Sequence, residues 1–137
     1  MDLPESARSL VESGRLAHCT TLNPDGSPQV SAVWIGLDGD EIVMGHLGEH
    51  RKVRNLRRDP RVAFSLAAPD DNAVGMQHHL VVYGTATVTE GGAPDLLRRL
   101  AAVYVPSGAF TLPDDAPEGV VVRVRVDRIG GVGPWTG

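Results

Sequence analysis

Arg51-Lys52-Val53-Arg54-Asn55-Leu56-Arg57-Arg58-Asp59-Pro60-Arg61 holds six of the 13 lysine and arginine residues of this chain, among them Lys52, its only lysine. The chain as a whole carries a net charge of −4. A compact cationic stretch on an acidic protein is a local anion site, not a track for an extended polyanion. Val53 and Leu56, three residues apart, give the narrow apolar stripe of a helix predicted over Glu49 to Arg58, which Asp59-Pro60 ends. Lys52, Asn55 and Arg51 follow one another round one side of that helix. They lie in its first half, where free backbone N–H groups and the macrodipole favour an anion. Lysine brings a compact charge, arginine a planar fork and asparagine an orienting amide, a set suited to a phosphate monoester or diester. The three are expected to face one ligand. Arg57 and Arg58 sit in the last turn, where cations complement the carbonyl end of the dipole, and with Arg61 they read as structural or solubilising.

Outward from this helix, the chain reads as strands. Leu16 to Leu22 and Gln29 to Leu37 flank the turn Asn23-Pro24-Asp25-Gly26-Ser27-Pro28, so they form a hairpin. Asp38-Gly39-Asp40 leads into a third strand, Glu41 to His46. Val62 to Ala67 is the fourth, Pro69 to Met76 a polar loop, and His78 to Val88 a long fifth strand. In Val120 to Ile129 the valines 120, 122, 124 and 126 face one way, with Arg123 and Arg125 opposite. Helices are predicted over Pro4 to Ser13 and Pro94 to Val103, and Tyr104 to Glu118 is Pro-rich and irregular, a lid or a connector. The fold class is therefore mainly β (α+β): six antiparallel strands in a barrel with peripheral helices, in one domain spanning 1–137.

Composition removes several function classes. Hydrophobic residues make up 42% and charged residues 22%, which is ordinary for a globular chain. No apolar run reaches the ~18–20 residues needed to span a bilayer, and Met1 to Ser6 starts acidic without an apolar region, so a cytoplasmic protein with no membrane partner is expected. Cys19 is the single cysteine. It excludes an internal disulfide or a cysteine zinc cluster and reads as a small core residue. A pI near 5.6 and 4% aromatic residues argue against nucleic-acid binding. No Ser-His-Asp or paired-carboxylate constellation stands out, and no catalytic side chain is assigned.

The order of these elements, with Lys52-x-x-Asn55-Leu56-Arg57-x-x-Pro60 after a turn-linked strand pair ending in Trp34, resembles the pyridoxamine 5′-phosphate oxidase-like split β-barrel flavoproteins. The likeness is greatest to the small actinobacterial members that use the deazaflavin coenzyme F420. It covers Leu16 to Val88, with a final strand at Val120 to Ile129. The resemblance implies a homodimer with two cofactor sites between subunits and a hydride passed between reduced F420 and a small conjugated substrate, with FMN as the alternative cofactor. It places Lys52 and Asn55 on the phosphate, Gln29 and Ser31 along the cofactor, and the backbone near Val33 against the ring. His46 and His50 fall near the phosphate at positions where relatives carry other residues. Arg51 and Arg54 suit the anionic oligoglutamate tail. Gln77 and His78 begin a strand that in relatives reaches the partner's cofactor. The C-terminal residues 130–137 lack the substrate-binding Arg and His of true pyridoxamine phosphate oxidases, so vitamin B6 oxidation is not expected.

Two other readings share these features. One is a non-catalytic carrier of flavin or haem. The other is a metal site in which His46, His50, His78 and His79 converge, although His78 and His79, adjacent on a strand, point to opposite faces. Trp34 and Trp135 are candidates for either the subunit interface or the core.

Overall fold

Two long neighbouring strands rich in valine and threonine carry the scaffold. In a computed structural model that describes residues 1–71 and 75–136, β6 (Gln77–Glu90) and β7 (Val120–Val132) pair antiparallel from His79 opposite Val132 to Glu90 opposite Val120. The other elements are α1 (Glu5–Val11), β1 (Ala17–Leu22), β2 (Pro28–Val33), β3 (Gly36–Asp38), β4 (Glu41–His46), α2 (Arg51–Arg58), β5 (Arg61–Asp71), α3 (Ala93–Tyr104) and a 3-10 turn at Pro134–Thr136. The sheet order is β2-β1-β5-β6-β7-β4-β3, with every neighbouring pair antiparallel. No ladder among the described residues joins β2 to β3, so the sheet curls without closing, as a split barrel.

A bulge between Tyr83 and Gly84 bends the central pair. A Cβ at Gly84 would lie 2.5 Å from a Val124 methyl and 2.6 Å from the Arg125 carbonyl, so only glycine permits this approach. Inside the curl, Val122, Val124, Leu66, Leu80, Val82 and Met44 are fully buried around Phe64. The predicted alternation of β7 holds, with Val120, Val122, Val124 and Val126 all buried. Cys19 is buried as expected, and burial pushes its thiol up to about 11. Trp135 is a core residue whose indole N–H donates to the His79 carbonyl at 3.1 Å.

The sheet has seven strands where six were expected. The predicted strand over 29–37 breaks after Val33 into β2 and β3. Tyr104, at the end of α3, explains the break. Its ring stacks on Trp34 with centroids 5.2 Å apart, its hydroxyl accepts the Ile35 N–H at 3.1 Å, and it donates to the Arg15 carbonyl at 2.8 Å. A side chain thus takes the backbone partner that a continuous strand would have used. The strand expected to end at Ala67 runs on to Asp71, into the predicted loop, of which residues 72–74 lie outside the described residues.

Helix α2 is fixed to the first hairpin by a buried amide. Asn55, 2% exposed, donates from Nδ2 to Thr21 Oγ1 at 3.0 Å and to Asn23 Oδ1 at 3.1 Å. The Thr21 hydroxyl passes the chain on to Gln29 Oε1 at 3.2 Å, and Arg58 donates to the Leu22 carbonyl. This corrects the expectation that Asn55 faces a ligand beside Lys52 and Arg51, because its donors are consumed inside the fold. Asn55→Ala should lower unfolding free energy by ~1–3 kcal/mol, the cost of leaving buried polar partners unmet. Denaturant midpoints at constant slope measure it, and a change below about 0.5 kcal/mol would show that the amide is not structural.

Candidate functional site

With Asn55 turned inward, the first turn of α2 carries Lys52 to the edge of a cleft of about 470 Å³. His46, His50 and Lys52 line one end of it, and Val33, Trp34, Leu97, Phe110 and Leu112 form an apolar wall. Among the described residues, no carboxylate lines it. His46 is the last residue of β4, opposite Val120 in the ladder. The chain entering β7 presses on it at Gly119, whose φ of +57° suits glycine and where a Cβ would lie 2.1 Å from the His46 carbonyl.

The electrostatics of the polar end are unusual for α2. Arg57 pairs with Glu49 at 2.5 Å and with Glu90 at 2.7 Å, Arg61 pairs with Asp59 at 2.7 Å, and Arg54 donates to the Glu49 carbonyl at 2.7 Å. Lys52, partly buried, has no ion pair or hydrogen-bond partner among the described residues. His46 is 8% exposed, and its buried Nε2 has no hydrogen-bond partner. Burial first, then Lys52 and His50, push this imidazole down to about 4, so it is neutral at pH 7. Its ring meets that of His50 edge-on at 5.8 Å. Buried polar groups in native folds almost always find partners, so the orphan nitrogen near the Lys52 ammonium makes this end of the cleft the candidate anion site.

Of the residues singled out from the sequence, the structure brings Val33, His46, His50 and Lys52 together. Arg51 is exposed at the first position of α2 and does not line the cleft. Gln29 and Ser31 lie on β2 outside the lining, Gln29 accepting from Thr21 and Ser31 standing opposite Cys19 with its buried hydroxyl unpartnered. Gln77 and His78 are at the far end of the sheet. His46 is opposite Val120 and Val120 opposite Glu90, so Gln77 stands thirteen residues back along β6, roughly 40 Å of strand. There the Gln77 side chain donates to the Asp70 carbonyl at 3.0 Å, and the His78 ring lies 6.4 Å from Trp135. The four histidines therefore do not converge within one chain, and the described residues contain no group of three or more metal-binding side chains.

The apolar wall was the part that sequence reasoning missed. Trp34 stacks on Tyr104 and meets Phe110 edge-on at 5.1 Å. The only available signal for Phe110 was its place as the lone aromatic in the irregular stretch after Tyr104. Together the two ends suit a molecule with an anionic head group and a planar ring. Lys52 and the free His46 nitrogen would hold the head group, and the aromatic slot would take the ring.

The chain matches the pyridoxamine 5′-phosphate oxidase family over residues 3–133. No curated protein matches it. Among solved structures it is similar to an F420 reductase, at 30% identity over 93% of this chain and 98% of that one, with a TM-score of 0.78. It is also similar to a conserved hypothetical protein from Mycobacterium tuberculosis, at 25% identity over 98% and 95% of the two chains, TM-score 0.69. A haem-binding protein from Mycobacterium smegmatis is 26% identical over 97% of this chain with a TM-score of 0.70, and the match spans 55% of that longer protein. With the family matched along almost the whole chain and its split sheet beneath the cleft, this chain belongs to the pyridoxamine 5′-phosphate oxidase family.

Proposed function

We propose that this protein is an oxidoreductase that binds a flavin-type cofactor, F420 in particular, in the cleft between β4, α2 and the segment after α3. The observation that carries the reading is Lys52 without a counter-ion beside the unpartnered Nε2 of His46, at the polar end of an aromatic-walled slot. The 30% identity to an F420 reductase over nearly the full length of both chains favours the deazaflavin over FMN. Arg51, exposed next to the cleft, suits the anionic tail of F420, which FMN lacks. When bound, such a cofactor supplies hydride transfer to a small conjugated substrate. The chain's own residues hold its phosphate, orient its ring against Trp34 and Phe110, and keep water from it.

The reading extends to a homodimer. Through the ladders, Val30, Thr20, Ala63, Tyr83 and Arg128 form one row across the outer sheet face, and Ala32, His18, Ser65, Val81 and Gly130 the next. Neither row contains a carboxylate or a lysine, Val30 is 59% exposed, and Arg128 stacks over the Tyr83 ring at 3.7 Å. A broad sheet face of this kind, without carboxylates and with Arg128 laid over an aromatic ring, suits a second copy of the chain. Ala32 belongs both to this face and to the cleft, so a partner there would complete the site.

Side-by-side titration with F420 and FMN, read by fluorescence quenching, tests the cofactor. Lys52→Ala should weaken binding by ~1.5–3 kcal/mol, about 10- to 150-fold, as expected for one charge-assisted contact to phosphate. Equal binding by the variant and the parent would refute the site. Steady-state oxidation of reduced F420 by an added acceptor separates an enzyme from a carrier, and a Soret band on adding haem would instead favour the haem-carrier reading. For the dimer, sedimentation at micromolar concentration should show a two-chain species that Val30→Asp dissociates. A monomeric parent would overturn the shared site.

A further inference from the structure

The polar end of the cleft holds one permanent positive charge and two imidazoles. Lys52 supplies the charge, since Arg51 lies outside the lining. Around His46, α2 contributes Lys52 and the position just before the helix contributes His50, and no other titratable group among the described residues lines the cleft. The neighbouring parts of β2, α3 and the segment after α3 present Ala32, Val33, Trp34, Leu97, Phe110 and Leu112, and β7 enters through Gly119 and Val120. The nearby carboxylates are occupied elsewhere, Glu118 accepting the Gly92 N–H at 3.3 Å and Glu49 pairing with Arg57. Nothing among the described residues stabilises an imidazolium at His46, which is why burial holds it neutral.

A ligand's charge must match this inventory. A phosphodiester carries one negative charge, whereas a phosphomonoester carries about 1.5 to 2 at pH 7, with its second pKa near 6. Lys52 alone neutralises a diester, and the free Nε2 of neutral His46 can donate a hydrogen bond to it. A monoester dianion against Lys52 alone leaves an uncompensated negative charge in a partly buried site, which is costly. One proton from solvent on Nε2 removes that imbalance.

We propose that His46 makes this cleft selective for a phosphate monoanion, so that a phosphodiester binds without change of protonation and a phosphomonoester binds only with uptake of one proton at His46 Nε2. This rests on the reading of the cleft as a phosphate site, and it supplies a physical reason for the cofactor preference. F420 joins its ring-bearing part to its tail through a diester, whereas FMN ends in a monoester. Neutral His46 therefore favours the first at pH 7 and above, and the preference shrinks as the pH falls.

Two measurements test it. The first follows the imidazole ¹⁵N resonances of His46, identified by their loss in His46→Gln, while inorganic phosphate or dimethyl phosphate is added at about pH 7.5. Inorganic phosphate should convert His46 to the imidazolium, and dimethyl phosphate should perturb it while leaving it neutral. The same protonation state with both anions, or no response to either, overturns the proposal. The second is calorimetry of FMN and F420 binding in two buffers of different ionisation enthalpy. FMN should take up about one proton and weaken about tenfold per pH unit above ~7, while F420 takes up none and stays within about twofold. Equal proton counts overturn the proposal. If neither cofactor binds but the two small anions still differ at His46, the charge assignment stands and the flavin reading falls.

Discussion

The buried amide of Asn55 is the joint on which the site depends. It satisfies Thr21 and Asn23 at once, and Thr21 in turn holds Gln29, so one side chain ties α2 to both strands of the first hairpin. The helix buries little else against the sheet, Val53 and Leu56 being its only buried apolar residues. A short helix with so narrow a stripe owes its orientation to polar contacts as much as to burial. That orientation decides which cation of the basic segment reaches the cleft. With Asn55 turned to the hairpin, Lys52, three residues earlier, lies at the cleft edge, and Arg57 and Arg58 fall where Glu49, Glu90 and the Leu22 carbonyl take them up.

The basic segment thus divides by partner. Exposed pairs such as Arg57 with Glu49 or Arg61 with Asp59 contribute little to stability in water, where solvent screens them. Their importance to function lies in what they remove, since every carboxylate drawn to the end of α2 is one that does not neutralise Lys52. The same separation governs the strands. Gly119 lets β7 begin against the end of β4, and this close contact buries His46 without offering it a hydrogen-bond acceptor. An ordinary fold would lose stability from that orphan nitrogen without return. On the proposed reading an anion in the cleft would satisfy it, and that cost would be recovered on binding.

Much of this fold was legible in the sequence because its signals are local. The alternation of Val120 to Val126, the Asp25-Gly26 turn and the Pro60 stop each depend on a few adjacent residues, and each appears where it was expected. The split of the second strand was not legible. It depends on Tyr104, 69 residues away, taking the Ile35 N–H. Asn55 failed for a related reason. A helical wheel shows that it lies on the same side as Lys52 but not that Thr21 and Asn23 would consume its donors. The apolar wall of Trp34, Phe110 and Leu112 was hidden because the chain positions that form it have no shared period. Gln77 and His78 were grouped with the site by resemblance, and the β6–β7 register puts them at the other end of the sheet.

His46 shows how position changes the chemistry of a common side chain. Free in water its ring would titrate near 6.5, but burial beside Lys52 and His50 pushes it down to about 4. The sign of the consequence is fixed. The unfolded chain binds that proton more readily than the folded one, so the free protein loses the associated stability as the pH falls from about 6.5 towards 4. An anion in the cleft acts in the opposite direction, because negative charge near Nε2 raises the affinity of the ring for a proton. Stability of the free protein and affinity for a dianionic ligand therefore respond oppositely to acid through one nitrogen. A threonine or serine in its place would give a hydrogen bond of the same kind but no such coupling, because a hydroxyl does not titrate in this range. The choice of an imidazole at the end of β4 is what links the charge of the ligand to the pH at which it is held.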